Sequence, residues 1–385
     1  MIQKFVFVFG TRPEAIKIAP LVLAAKDDPN LECLIVSTGQ HREMLDQVLD
    51  AFAIKPDIDL DLINSRPNLN GIIGQSLLKL DKFFEDHKPD LVFAHGDTAT
   101  TLAVSLCCFN KKIPLAHIEA GLRTYDLESP FPEEFNRRVA GLASKYHFCP
   151  TQLAKENLVR EGCSENSLFV VGNTIVDAVR IIEEKISKEK SIQNKFDEKF
   201  SFLKSSDKVI LLTVHRRESF GEKMKNICLA IKEIAIEQPN VKIVFPVHLN
   251  PNVRSPVNDI LKDVINIHLL EPLGYLDFML LFKRSDFIMT DSGGIQEEAP
   301  SLSKPVVILR EVSERPEVIQ TGAGILVGSS KNKIKQVTNE LLQRGPLFDK
   351  MSSAKNPFGD GYSSKKILEI CKKHLDKSNE KRSEQ

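Results

Sequence analysis

The sequence predicts an α/β protein of two doubly wound domains, each a parallel sheet with helices on both faces. Three observations carry that expectation. At 385 residues the chain is longer than one ordinary core organises. Short runs rich in β-branched and aromatic residues alternate with amphipathic stretches, the pattern of a parallel sheet joined by crossover helices. The rhythm loosens once, from Ile181 to Asp207, where EEKISKEKSIQNKFDEKF is charged and has no turn glycine, and then it restarts.

Taken in order, FVFVF opens the first domain as a strand and PEAIKIAPLVLAAK follows it as a helix. CLIVS, DLVFAH, IPLAHI and KYHFC are the next strands, each succeeded by helical patterning. The second half repeats the scheme with KVILLTV, VKIVFPV, INIHLL, DFIMTD and PVVILR, separated by helical segments such as EKMKNICLAIKEIAIEQ. The expected division is 1–172 for the first domain and 173–360 for the second. A helix over 361–375 is expected to return to the first domain. Residues 376–385, DKSNEKRSEQ, contain no apolar side chain and are expected to form a disordered tail.

Composition excludes several functions. Hydrophobic residues make up 42% and charged residues 27%, and no apolar run approaches the roughly 18 residues of a membrane span, so no membrane insertion is expected. Fifty-two basic residues balance fifty-two acidic ones, which leaves no net field to draw nucleic acid. The apolar part of MIQKFVFVFG is too short for a signal peptide, and a cytoplasmic protein is expected. Seven cysteines without a C-x-x-C read as reduced thiols rather than a disulfide framework or zinc site. Adjacent Cys107 and Cys108, in an apolar helical run, read as core.

In open parallel sheets ligands bind beyond the carboxyl ends of the strands, and the unusual chemistry of this chain is written there. Gly10-Thr11-Arg12-Pro13-Glu14 follows the first strand, with Lys17 a helical turn beyond. His95-Gly96-Asp97-Thr98 and then His117-Ile118-Glu119 follow later ones, leading to Glu133 and Glu134. In the second half the strand ends carry His215-Arg216, His248 and Asp291-Ser292-Gly293-Gly294. A strand–Ser-Gly-Gly–helix junction admits an anion, and a diphosphate is the natural candidate. The competing reading is that Ser292 merely caps the helix while the glycines turn the chain. Arg12, His215, Arg216 and Arg315 favour the anion. Asp97, Glu119, Glu133 and Glu134 exceed what packing requires, and paired carboxylates in a cleft divide into acid and base. Neither G-x-G-x-x-G nor a Walker lysine motif is present, and no H-x-x-x-H or H-E-x-x-H spacing holds a metal, so no cofactor is expected. The residues by themselves describe a two-domain enzyme acting on a phosphorylated or diphosphate-linked small molecule by acid-base chemistry.

Longer motifs carry a resemblance. FGTRPEAIKIAPLV, TGQHREMLDQVL, HGDTATTLA, HIEAGLRTYDLESPFPEEFNRR, GNTIVDA, TVHRRESFGE, FPVHLNP and TDSGGIQEEAPSLSKPVVILR, from about Phe9 to Asn356, resemble the non-hydrolysing bacterial UDP-N-acetylglucosamine 2-epimerases. The resemblance implies a glycosyltransferase-B-like fold of two Rossmann-like domains with the active site in the interdomain cleft, and a homodimer. It implies reversible conversion of UDP-N-acetylglucosamine to UDP-N-acetylmannosamine through a 2-acetamidoglucal. It further implies catalytic roles for Asp97, Glu119, Glu133 and His215, and substrate contacts from Arg12, Lys17, Arg216, Ser292, Gly293, Gly294, Glu298 and Arg315. Glu298 is suited to pair with two ribose hydroxyls.

Two departures stand out. Arg310-Glu311-Val312-Ser313-Glu314-Arg315 replaces the R-D-T-T-E-R of many members, which bears on how Arg315 is positioned. Gln40, Arg66 and His248 match a second, allosteric UDP-N-acetylglucosamine site of some bacterial members, but Glu43 stands where those have glutamine. Rival readings are a hydrolysing 2-epimerase, whose relatives usually start G-S-R-A-E, a 2-epimerase for a modified UDP-sugar, and a glycosyltransferase of the same fold. A nucleotide-sugar sensor is the non-enzyme reading, and the retained carboxylates weigh against it.

Overall fold

The computed structural model describes residues 2–39, 42–62 and 68–383. Two compact units divide the chain. The first comprises Met1–Ile181 and Phe358–Gln385, the second Ile182–Pro357. The first crossing between them lies inside the helix Thr174–Lys188, later than the 172/173 expected and at the start of the stretch from Ile181 where the sequence rhythm loosens. The helix Lys190–Lys199 continues it.

The first unit is a seven-stranded sheet of β1 (Gln3–Phe9), β2 (Leu31–Ser37), β3 (Ile58–Asp59), β4 (Leu91–His95), β5 (Leu115–Ile118), β6 (Tyr146–Cys149) and β7 (Leu168–Val170). Its order is β3-β2-β1-β4-β5-β6-β7. Every pairing is parallel. The second unit has β8 (Lys208–Thr213), β9 (Val241–Pro246), β10 (Ile267–Leu270), β11 (Phe287–Thr290), β12 (Val306–Ile308) and β13 (Gly324–Leu326), in the order β10-β9-β8-β11-β12-β13, again all parallel.

Central strands covered on both faces need apolar residues without alternation. FVFVF meets that need: Phe5, Val6, Phe7 and Val8 are all fully buried, and Phe7 stacks on Phe93 of β4 with ring centroids 4.6 Å apart. In each sheet the order reverses beside the first strand, at β1/β4 and at β8/β11. Those are the switch points where crossover helices diverge and leave room for a ligand.

The chain re-enters the first unit through Phe358 and ends in the helix Ser363–Ser383. Asp177 caps its start, accepting from the backbone N–H of Ser363 (3.1 Å) and Ser364 (2.7 Å). Gln3 donates to Asp376 at 2.8 Å further along. The helix runs on to Ser383 through residues expected to be a disordered tail. Nothing from Asp376 to Ser383 is glycine or proline, so no backbone breaker ends it. Among the described residues, no helix is long and apolar enough to cross a membrane.

Candidate active site

In the first unit the turns after β1, β4 and β5 are tied together by buried carboxylates. Thr11 caps the helix Arg12–Lys26 in a capping box with Glu14. The Glu14 carboxylate also accepts from Gly10 N–H (3.0 Å), Thr11 N–H (2.8 Å) and the Thr98 hydroxyl (2.6 Å). Burial raises its pKa, and those hydrogen bonds oppose the rise. Glu14 therefore joins the turn carrying Arg12 to the turn carrying Asp97.

Glu119 leaves β5 with a φ of 63°, a left-handed conformation that a side chain disfavours and that clusters at functional positions. Its Oε2 accepts from the Lys17 ammonium and from Asn173 Nδ2 at 2.7 Å, and His95 Nε2 lies 3.7 Å away. Lys17, expected from the resemblance to touch substrate, thus pairs with a carboxylate of its own unit. Asp97 accepts from Arg137 at 2.5 Å, and its carbonyl oxygen accepts from Asn136 at 2.9 Å. Glu133 opens the helix Glu133–Ala143, and its buried Oε2 has no hydrogen-bond partner among the described residues. A desolvated acceptor of that kind is costly and points to a function. Its neighbour Glu134 is a brace instead, fully buried and accepting from Thr124 N–H and Tyr125 N–H at 3.1 Å each.

His117 supports the same turns from below. Its Nε2 lies 2.7 Å from the carbonyl of Gly96, so the neutral ring must carry its proton there. Burial pushes its pKa down from 6.5 to about 3, and that of its strand neighbour His147 down to about 4. Both rings are neutral in the fold. As pH falls below 6.5 the unfolded chain takes up protons that the folded chain refuses until about pH 4 and pH 3. Their contribution is complete above the ordinary histidine range and is lost on acidification through that window. The melting temperature is expected to fall between pH 7 and pH 5, and His117→Gln to flatten the slope. An unchanged slope in the variant would show that His117 has no part in it.

The second unit is organised by Asp291. This fully buried carboxylate accepts from His215 N–H (3.0 Å), Arg216 N–H (2.8 Å) and the Ser219 hydroxyl (2.8 Å). It fixes the turn after β8 against the turn after β11. Burial lowers the His215 pKa, with Asp291 acting in the opposite sense. The ring stacks on His248 at 5.7 Å. Arg315 bonds Glu297, and its N–H donates to the Ser313 hydroxyl at 3.0 Å. Two guanidiniums converge on Gly293: a Cβ there would lie 3.6 Å from Arg216 Nη2 and 4.0 Å from Arg315 Nη2. At Gly294 a Cβ would meet nothing within 4 Å.

Ser292 stands at the N-cap of the helix Gly293–Glu298 but makes no side-chain cap bond among the described residues. The Glu311 departure turns away from Arg315: its carboxylate accepts from Ser329 N–H at 3.2 Å. Glu298 is buried beside these groups on the helix Gly293–Glu298, and Arg12 opens the helix after β1. Of the candidate second site, Gln40 and Arg66 lie outside the described residues, as does the side chain of Glu43. His248 is exposed and accepts from Asn250 N–H at 3.2 Å. Residue-by-residue reading passed over Glu14, Arg137, Asn173 and Asp291 as functional groups. The signal for three of them was their place inside the GTRPE, PEEFNRR and DSGG segments, and for Asn173 its place in GNTIVDA.

A family model described as UDP-N-acetylglucosamine 2-epimerase matches residues 23–372. The chain is 48% identical over 372 residues to a UDP-N-acetylglucosamine 2-epimerase of Yersinia pestis, across 97% of this chain and 99% of the relative. It is 47% identical to one of Neisseria meningitidis, across 97% and 100%. Among solved structures, the UDP-GlcNAc 2-epimerase of Neisseria meningitidis bound to UDP-GlcNAc matches with a TM-score of 0.92 at 47% identity, covering 96% of this chain and 100% of that one. The Methanocaldococcus jannaschii UDP-GlcNAc 2-epimerase in complex with UDP-GlcNAc and UDP matches at 0.82 and 36%, covering 96% and 99%. The fold class is the one the sequence predicts: α/β, two Rossmann-like doubly wound domains of glycosyltransferase-B-like type.

Proposed function

The chain belongs to the UDP-N-acetylglucosamine 2-epimerase family, and on that premise we propose that it interconverts UDP-N-acetylglucosamine and UDP-N-acetylmannosamine by eliminating and re-adding UDP. The observation that carries this reading is the set of carboxylates in three different environments at the carboxyl ends of one sheet. Glu119 is bonded to an ammonium and an amide, Asp97 to a guanidinium, and Glu133 presents a buried acceptor with no partner among the described residues.

The C2 proton of the sugar is not beside a ketone, so its removal must accompany departure of a good leaving group. A carboxylate takes that proton while the C1–O bond to UDP breaks, which leaves a C1=C2 double bond in 2-acetamidoglucal. A proton then returns to C2 from the opposite face, and the UDP oxygen re-forms its bond to C1. Asp97, Glu119 and Glu133 share the proton transfers. Arg12, His215, Arg216 and Arg315, with Ser292, Gly293 and Gly294, hold the diphosphate and stabilise the charge that grows on it as it leaves. Glu298 accepts from the ribose hydroxyls. Elimination and addition leave no net redox change, so the route calls for no nicotinamide.

The same reading places the protein in the cytoplasm as a homodimer supplying N-acetylmannosamine units for a bacterial surface polysaccharide. It includes a regulatory second UDP-N-acetylglucosamine site at Gln40, Glu43, Arg66 and His248.

Proton NMR of the protein with UDP-N-acetylglucosamine in D2O tests the reaction. The expected spectrum shows both UDP-sugars at equilibrium, with deuterium entering C2. Free N-acetylmannosamine with UDP would instead assign a hydrolysing enzyme, and unchanged substrate would dismiss the epimerase reading.

A further inference from the structure

GNTIVDA, from Gly172 to Ala178, has no part in the chemistry above, yet it delivers a side chain to Glu119. Asn173 is 2% exposed. Its Oδ1 accepts from Ile175 N–H at 3.0 Å, which leaves Nδ2 to face the carboxylate. Nδ2 donates to Glu119 Oε2 at 2.7 Å. The backbone of Asn173 is anchored in turn, its N–H donating to the Phe358 carbonyl at 2.7 Å. That carbonyl belongs to the segment through which the chain re-enters the first unit. Close approach there depends on Gly172, whose φ is 92° and where a Cβ would lie 2.7 Å from the same oxygen.

We propose that Asn173 is a positioning residue for Glu119, holding Oε2 as a hydrogen-bond acceptor so that the carboxyl group keeps its orientation while it exchanges the C2 proton. The inference rests on the epimerase reading and deepens it. An amide donor serves both states of the carboxyl group. When Glu119 is ionised, Nδ2 donates to one of two equivalent oxygens. When the carboxyl group is protonated, an oxygen that remains a carbonyl still accepts from Nδ2. The orientation of the carboxyl group thus survives each proton transfer without reorganisation, which is what preorganised catalysis requires. Among the described residues, Lys17 from the helix Arg12–Lys26 and His95 from β4 are titratable side chains that face the same carboxylate. The re-entry segment fixes the amide through Phe358, so the geometry of Glu119 is set by both ends of the first unit's chain.

Asn173→Asp separates this role from simple packing. Aspartate keeps the oxygen that accepts from Ile175 but replaces the donor to Glu119 with a second carboxylate. A neighbouring like charge raises a carboxyl pKa. The acid limb of the kcat profile is therefore expected to move to higher pH by about one unit, with kcat near neutrality down roughly tenfold. KM and UDP affinity should stay within about twofold. Asn173→Ala should move the limb in the same direction by less, and it carries the test should the aspartate variant fail to fold by circular dichroism. Lys17 and His95 are unchanged in both, so the shift reports the lost amide. An acid limb that superimposes on that of the unmodified protein, or a loss of UDP affinity as large as the loss of kcat, would overturn the proposal. Absence of turnover in the unmodified protein would instead strike the epimerase reading itself.

Discussion

Glu119→Gln should lower kcat by about 100- to 10,000-fold while UDP affinity stays within about twofold. Glutamine keeps the length and shape of the side chain, and its oxygen can still accept from Lys17 and Asn173, the two donors that hold Oε2. What it cannot do is take a proton and return it. The left-handed backbone at position 119, with a φ of 63°, is no harder for glutamine than for glutamate, so the fold should tolerate the change. Asp97→Asn and Glu133→Gln should follow the same pattern. Asp97 is expected to show a larger stability loss, since its carboxylate neutralises the buried Arg137. Isothermal titration with UDP beside steady-state kinetics separates the effects. Equal loss of UDP binding in all three variants would mean that these carboxylates hold the fold and not the sugar.

On the nucleotide side, Arg216→Ala should weaken UDP binding by about 10- to 100-fold, the worth of a charge-assisted hydrogen bond to a phosphate. Arg315→Ala should match it in affinity and differ from it in stability, because the removed guanidinium pairs with Glu297, itself 1% exposed. Loss of that ion pair at a buried carboxylate is expected to lower the melting temperature, whereas Arg216→Ala should leave it nearly unchanged. The adjacent glycines supply a steric control. A methyl at Gly293 makes only ordinary contact with the protein, 3.6 Å from Arg216 Nη2, so Gly293→Ala should fold. It would nonetheless occupy the point on which both guanidiniums converge, and should weaken UDP binding comparably. A Cβ at Gly294 would meet nothing within 4 Å, so Gly294→Ala should also fold, and it should weaken UDP binding less than Gly293→Ala because the backbone N–H stays in place and no guanidinium is crowded. Equal tolerance at both glycines would place the diphosphate elsewhere.

The strands were legible because a strand buried on both faces must be apolar along its length, and FVFVF and KVILLT satisfy that condition locally. The loops bearing candidate residues were legible because a parallel sheet exposes its chemistry at the strands' carboxyl ends, a matter of chain order alone. The loosened rhythm after Ile181 marked where the two units meet in the chain, but not the secondary structure there. The charged stretch after Ile181 forms helices, and the polar C-terminus prolongs one, because lysine and glutamate satisfy a solvated helix as readily as a loop. The presence of carboxylates and arginines was written in the sequence, and so was their type.

Their partners were decided by the tertiary structure alone. Lys17 meets Glu119 across 102 positions, Asn173 meets it across 54, and Asp291 takes the N–H of His215 across 76. A hydrogen bond depends on separation in space to within a few tenths of an ångström. That separation follows from which strands lie side by side, and the β1-β4-β5 neighbourhood is fixed by packing over the whole sheet. Local residue pattern determines that a segment is a strand and which groups follow it, whereas only the assembled sheet determines that Lys17 neutralises Glu119 and that the guanidiniums of Arg216 and Arg315 meet at Gly293.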